Sequence, residues 1–128
     1  MGKRKSYRCY LICSSVTLAN RPGVLVSHYL GTTNRLVAER LADHVACGQN
    51  CPPHTDRDDR CKHNAARLTA AFVRAGGTLQ VTRIWAGGHV VEQRIKAYGK
   101  LHQLCPACNP RAMKHKPKGL TKGRKICR

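Results

Sequence analysis

Hydrophobic and polar positions along the chain follow two different periods, which predict strands and helices in a definite order. Residues 7–13 and 23–31 are short runs of aromatic and aliphatic side chains, and the segment between them supplies the turn residues Asn20, Pro22 and Gly23. This pattern is typical of an antiparallel hairpin. A third strand is predicted over residues 78–85, where apolar and polar side chains alternate.

Three stretches have helical spacing instead. One runs from Arg35 to about Ala46 with Asn34 as its expected cap, a second covers residues 65–77 and ends at a glycine pair, and a third covers residues 87–101. A chain of 128 residues forms one ordinary domain. The sequence therefore predicts an α+β fold, a short antiparallel sheet flanked by helices.

Composition divides the chain into three parts. Residues 1–6 form a basic N-terminal segment, residues 7–110 the folded domain, and residues 111–128 a basic tail that we expect to be flexible or partly ordered. Within the domain, residues 47–63 have no periodicity and are rich in cysteine and histidine. We interpret them as an inserted loop.

The charge balance points to a polyanionic partner. Lysine and arginine number 24 against six acidic residues, a formal net charge of +18. DNA is favoured over a membrane, because no apolar stretch is long enough to span a bilayer. The expected nucleic-acid-binding residues are Lys3, Arg4, Lys5, Lys96, Lys114, Lys116, Lys118, Lys122, Arg124 and Lys125.

The N-terminus carries two weaker signals. The residues MGKRKS fit a myristoylation pattern at Gly2, and residues 3–19 loosely resemble a signal peptide. Ser14, Ser15 and Thr17 interrupt the apolar stretch, and we expect a cytoplasmic, reducing location. A lipid-anchored basic protein is the alternative that Gly2 leaves open.

In a reducing compartment, eight cysteines favour metal ligands or plain thiols over disulfides. Cys105 and Cys108 form a C-x-x-C half-site for a structural zinc ion, and Cys47 and Cys51 are the favoured partners. Alternative ligands are Cys61, His54 and His63, and thiols without a metal remain the competing interpretation. Packing roles are expected for Cys9 and Cys13, and a free thiol for Cys127.

Three polar residues on predicted helices attract attention. Glu92 is the only carboxylate side chain after Asp59. It is either half of an i,i+4 ion pair with Lys96 or a ligand of Mg²⁺ or Mn²⁺, which needs few protein ligands when substrate phosphates complete its shell. Arg40 and His44 lie one helical turn apart and form either a phosphate-facing pair or an ordinary solvated face.

The order of CYLI, HYLG, RLVAERLADH and VVEQRIK resembles the GIY-YIG nuclease family over about residues 7–104. The resemblance implies a GIY-YIG-like domain whose catalytic residues are Tyr10, Tyr29, Arg40, His44 and Glu92. Gly31 matches the glycine of the second motif, and Asn109 is the candidate for the asparagine that the family carries downstream of its glutamate. The first motif departs from the family, because Cys9 precedes Tyr10 where Gly-Ile is usual.

The function implied by this resemblance is a divalent-metal-dependent DNA endonuclease. Glu92 would hold Mg²⁺ or Mn²⁺, Arg40 would bind a phosphate oxygen, and Tyr10 would act as the general base or orient the attacking water. The alternative is a non-catalytic, zinc-stabilised nucleic-acid-binding protein, for example a ribosome-associated one. A protein that only binds nucleic acid would not need Tyr10, Tyr29, Arg40 and Glu92 in this order.

Overall fold

One antiparallel sheet of four strands forms the centre of the molecule, with strand order β2-β1-β3-β4. The computed structural model describes residues 6–21, 23–50 and 67–126. The predicted α+β class is confirmed, and no helix in these ranges has the length and apolar character that crossing a membrane requires. The elements are β1 (Arg8–Arg21), β2 (Val24–Thr33), α1 (Val37–Asn50), α2 (Arg67–Arg74), β3 (Leu79–Ala86), α3 (His89–Tyr98), α4 (Leu101–Leu104), a 3₁₀ turn (Ala112–Lys114) and β4 (Arg124–Lys125).

The β1–β2 hairpin extends further than the sequence predicts. Pairing runs from Arg8 opposite Thr33 to Arg21 opposite Val24, with two register shifts on the way. The turn lies between the paired residues Arg21 and Val24, and Gly23 within it adopts a φ of +78° that favours glycine. The loop predicted between the strands is mostly strand, because half-buried Val16 and Leu18 alternate there with exposed polar residues.

Two helix boundaries differ from the predictions. Helix α1 begins at Val37, too far along the chain for Asn34 to cap it, and its last turn includes Cys47, which was assigned to the inserted loop. Helix α1 also includes residues 48–50 of that predicted insertion, and residues 51–63 lie outside the described residues. One helix was predicted over residues 87–101, but Gly99 ends α3 in the left-handed conformation, and α4 begins separately.

Helices cover both faces of the sheet. Cys9, Leu11 and Cys13 alternate along β1 and pack into a core with residues of β3, α3 and α4. Tyr10, on the opposite face of β1, contacts α1 through His44. Because successive side chains of a strand point to opposite faces, this short segment of β1 supplies both layers.

An irregularity in β3 organises the C-terminal segment. The β1–β3 register shifts between Leu11 and Ile12, which leaves Thr82 as an extra residue in β3. Its neighbour Arg83 is completely buried, and its guanidinium donates hydrogen bonds of 2.7–3.1 Å to four backbone carbonyls. The acceptors are the carbonyls of Leu104, Ala112, His115 and Lys122. Much of the basic tail is therefore held against the sheet.

Candidate functional site

A buried chain of three polar side chains links β1, α1 and α2. The hydroxyl of Tyr10 lies 2.8 Å from Nε2 of His44, and Nδ1 of the same imidazole lies 2.7 Å from the hydroxyl of Thr69. Tyr10 is 1% exposed, and His44 and Thr69 are completely buried. Both imidazole nitrogens are thus satisfied, which a buried histidine requires.

Electrostatics keep this imidazole neutral. Burial and then the nearby Arg40 charge lower the pKa of His44 to about 4. Burial raises the pKa of Tyr10, and the neighbouring Tyr29 adds to the rise, while Arg40 opposes it through its charge and a side-chain hydrogen bond. A neutral imidazole beside a protonated phenol is a donor–acceptor pair that can transfer a proton.

Tyr29 and Gly31 complete the tyrosine pair. The ring of Tyr29 meets His44 edge to face, with 5.3 Å between centroids. Gly31 pairs with Tyr10 across the hairpin, and a Cβ built on it would lie 2.7 Å from the Tyr10 hydroxyl. Only glycine at this position leaves room for both phenols.

Arg40 lies at the rim of this group. Its guanidinium is 3.4 Å from the carboxylate of Asp43, which also binds Arg35 at 2.6 Å. The side chain of Arg40 is 18% exposed, so it reaches solvent while its charge acts on Tyr10, Tyr29 and His44. Arg40 therefore lies between the buried hydroxyl group of Tyr10 and solvent.

Glu92 lies on α3, and its charge acts on Tyr29 and Cys9. Its carboxylate contributes to the raised pKa of Tyr29, and after burial it is the largest contribution that raises the pKa of Cys9 to about 12. Lys96 donates to Oε1 of Glu92 at 3.1 Å, so the i,i+4 ion pair considered from the sequence is present. In the described part of the chain, Lys96 is the only residue hydrogen-bonded to the carboxylate of Glu92, and Oε2 has no such partner.

A second cluster lies on the opposite face of β1. Cys13, His28, Cys105 and Cys108 bring one ligand atom each to within 4.8 Å of one another, and they form a candidate metal site consistent with structural zinc. Sγ of Cys108 lies 3.6 Å from Sγ of Cys13 and 3.4 Å from Nε2 of His28. Cys108 is exposed, while the other three residues are buried.

Hydrogen bonds favour the thiolate form of Cys105. Cys13, His28 and Thr82 donate to its sulfur, as does the backbone N–H of Cys108, and together they outweigh burial and lower the pKa of this thiol to about 3. The pKa of Cys13 is raised because its thiol donates that hydrogen bond and is itself buried. The cluster thus stabilises thiolate sulfur.

The zinc ligands predicted from the sequence are found only in part. Cys105 and Cys108 belong to the cluster, but their partners are Cys13 and His28 in place of the favoured Cys47, which is buried on α1 outside the cluster. Because α1 packs on the other face of the sheet, Cys47 cannot complete this site. Cys51, Cys61, His54 and His63 lie outside the described residues, as does Cys127.

Sequence reasoning missed His28 and assigned Cys13 to packing alone. The signal that could have found them is strand register, since Cys13 and His28 are direct cross-strand partners in the β1–β2 hairpin. Directly opposed side chains point to the same face of a sheet. Asn109, the other carried-over candidate, donates to the carbonyl of Gln103 and accepts from the N–H of Arg111, so its amide stabilises the turn after α4.

Basic side chains remain available at the surface. The described residues predicted to bind nucleic acid are all exposed: Lys96, Lys114, Lys116, Lys118, Lys122, Arg124 and Lys125. Arg8, which the sequence analysis did not select, lines a groove of about 370 Å³ together with Lys122 and Arg124. Lys3, Arg4 and Lys5 lie outside the described residues.

No family model, curated protein or solved structure matches this chain. Function is therefore inferred from the chemistry of the two clusters and from the surface charge.

Proposed function

We propose that the chain is a divalent-metal-dependent DNA endonuclease of GIY-YIG type. The observation that carries the proposal is the convergence of Tyr10, Tyr29, Arg40 and His44 from three separate elements, β1, β2 and α1, while the charge of Glu92 on α3 acts on Tyr29. A helix face that is merely solvated would not bury His44 completely between two hydroxyl groups. The convergence supports a common chemical role.

Proton transfer is assigned to Tyr10 and His44. As water attacks phosphorus, one of its protons passes to the Tyr10 oxygen while the phenolic proton moves to Nε2 of His44. The P–O bond to the leaving oxygen breaks as the new P–O bond forms, and the leaving oxygen departs with the electron pair and takes a proton from solvent. Neutral His44 is suited to this role in the tautomer whose Nδ1–H donates to Thr69, because Nε2 then carries a lone pair.

Arg40 and Glu92 are assigned to the stabilisation of negative charge on the phosphate, Arg40 directly and Glu92 through a bound metal ion. Arg40 reaches solvent and would donate to a non-bridging phosphate oxygen as negative charge develops there. Oε2 of Glu92 is free of hydrogen bonds from the described residues, and a single carboxylate suits Mg²⁺ or Mn²⁺, which keep several waters. When bound, such an ion would stabilise negative charge on the phosphate and the leaving oxygen.

DNA is the proposed substrate because of the charge distribution. The net charge is +18, and the exposed basic residues continue from α3 through the C-terminal segment to β4. Counterion release makes binding by such a surface steeply dependent on salt. Fluorescence anisotropy with a labelled duplex should show affinity falling at least tenfold from low to moderate salt; affinity that barely changes would contradict the assignment.

The experiment that tests catalysis is nicking of supercoiled plasmid with Mg²⁺, Mn²⁺ or EDTA. Wild-type protein should nick only with metal, and Glu92→Gln, Arg40→Ala and Tyr10→Phe should lose activity. Glu39→Gln is the matched control, since Glu39 is an exposed helical carboxylate in an ion pair with Arg35. Glu92→Gln should still bind DNA, because the charge that it removes opposes binding. Undiminished nicking by this variant would overturn the assignment.

A second candidate function is a non-catalytic, zinc-stabilised nucleic-acid-binding protein. The Cys/His cluster favours it, because this candidate needs only a stable fold and a basic surface. In both candidate functions the ion at the cluster would be structural zinc. DNA binding without metal-dependent nicking, in protein whose fold is verified by circular dichroism, would select this second function.

A further inference from the structure

We propose that Cys13, His28, Cys105 and Cys108 bind one tetrahedral zinc ion that fastens the β1–β2 hairpin to the segment after α4. Three sulfurs and one imidazole nitrogen form a complete ligand set, leaving no open position for a substrate. The ion therefore has a structural role, and the proposal is independent of any nuclease activity.

Two separations within the cluster match those of a zinc site, and the four ligand atoms all lie within 4.8 Å of one another. With Zn–S near 2.3 Å and Zn–N near 2.0–2.1 Å, tetrahedral geometry separates two sulfurs by about 3.8 Å and a sulfur from a nitrogen by about 3.5 Å. The corresponding separations are 3.6 Å for Cys13 and Cys108, and 3.4 Å for Cys108 and His28. Soft thiolate ligands also exclude Mg²⁺ and Ca²⁺ from this site.

Neighbouring hydroxyl groups orient the ligands. Nδ1 of His28 lies 3.2 Å from the hydroxyl of Ser27, which leaves Nε2 directed at the cluster. The hydroxyl of Thr82, the extra residue of β3, lies 3.4 Å from Sγ of Cys105. Such outer hydrogen bonds fix the tautomer of a ligating histidine and the charge of a ligating thiolate. The exposed Cys108 gives an ion access from solvent.

The cluster joins parts of the chain that are far apart in sequence. Cys13 and Cys108 are separated by 95 positions, and closing so long a loop costs conformational entropy that an ion would offset. Each thiol that enters the site still protonated releases its proton as the Zn–S bond forms. Zinc would thus hold the C-x-x-C turn on the sheet beside the carbonyls that Arg83 binds.

Cobalt substitution tests the proposal on the full-length chain. Reduced, metal-free protein is titrated with Co²⁺, and we expect one equivalent to give the visible bands of a tetrahedral ion and sulfur charge-transfer absorption in the near ultraviolet. One equivalent of Zn²⁺ should then bleach the bands. Native mass spectrometry of the protein as purified should show the mass of one zinc ion.

Variants identify the ligands. Cys13→Ser and Cys105→Ser should weaken cobalt binding at least tenfold, and His28→Cys should retain one equivalent with stronger sulfur absorption because it supplies a fourth thiolate. Cys9→Ala is the matched control, since Cys9 is buried on the same strand and face outside the cluster. This control and the double variant Cys51→Ser/Cys61→Ser should bind as the wild type does.

Three outcomes would overturn the proposal: no bound ion in the wild type, an unchanged cobalt spectrum in Cys13→Ser, or loss of the ion in Cys51→Ser/Cys61→Ser. If Cys13→Ser does not fold, the absorption of His28→Cys decides between the alternatives. An unaltered sulfur absorption per cobalt in that variant would show that His28 is not a ligand.

Discussion

The hydroxyl of Tyr10 and Nε2 of His44 lie 2.8 Å apart in the interior, and their contact joins strand β1 to the middle of helix α1. No solvent reaches the imidazole. Nε2 of His44 therefore depends on Tyr10 for its hydrogen bond, and this dependence has consequences for stability that can be measured without knowing the substrate.

Tyr10→Phe should destabilise the fold. The substitution keeps the ring but leaves Nε2 of His44 buried without its partner, which costs about 1–3 kcal/mol. Urea denaturation followed by circular dichroism measures the change. Tyr7→Phe is the control, because Tyr7 is 49% exposed and its substitution should cost less than about 0.5 kcal/mol. Equal effects of the two substitutions would contradict the buried hydrogen bond.

Stability should fall as the pH falls from about 6.5 to about 4. Burial and the Arg40 charge lower the pKa of folded His44 to about 4, against 6.5 for a free histidine, while Asp43 acts in the opposite direction. In this window the unfolded chain binds a proton that the folded protein does not. The slope of stability against pH is therefore positive, and the full effect is about 3 kcal/mol.

Denaturation midpoints between pH 4 and pH 7 measure this slope. His44→Gln should flatten it, whereas substitution of the exposed His102 by Gln should leave it unchanged. A slope that survives in His44→Gln would assign the proton uptake to another group.

Gly31→Ala should destabilise the tyrosine pair. The added methyl group would lie 2.7 Å from the hydroxyl of Tyr10 and 2.8 Å from the ring of Tyr29, closer than a real contact allows. Overpacking of this kind costs about 1–3 kcal/mol. In a Tyr10→Phe background the hydroxyl contact is gone, but the ring carbons of residue 10 and Tyr29 at 2.8 Å remain, so the cost of Gly31→Ala should fall only in part. Urea denaturation of both backgrounds measures this, and a Gly31→Ala variant as stable as the wild type would contradict the close packing.

Arg83→Lys should loosen the C-terminal segment. A lysine cannot reproduce the fork of hydrogen bonds from one guanidinium to four carbonyls, and the carbonyls that it leaves unpaired should cost about 3 kcal/mol or more. Limited proteolysis should then cut within residues 105–126 sooner than in the wild type. Arg94→Lys is the control, because Arg94 is exposed and its guanidinium makes one hydrogen bond within the described residues, of 3.3 Å to the carbonyl of Gly119.

The parts of the structure that follow local rules could be predicted from the sequence. Periodicity gave the three main strands, and the C-x-x-C spacing gave half of the metal cluster. His28 could not be found in this way, because its place depends on the register of a hairpin whose strands continue through most of the predicted loop. Arg83 was missed for a related reason: an arginine in a strand is normally exposed, and only the packed tail supplies the carbonyls that stabilise a buried one.

The hairpin itself continues beyond the sheet. The last pair between β1 and β3 is Ser14 with Leu79, whereas β1 and β2 remain paired as far as Arg21 and Val24. Beyond the pair of Cys13 and His28, β1 and β2 thus continue as a two-stranded ribbon that β3 does not join. For protein engineering this makes the tip near Gly23 a natural insertion point: a peptide tag or a fluorophore attached there would extend into solvent, away from both clusters.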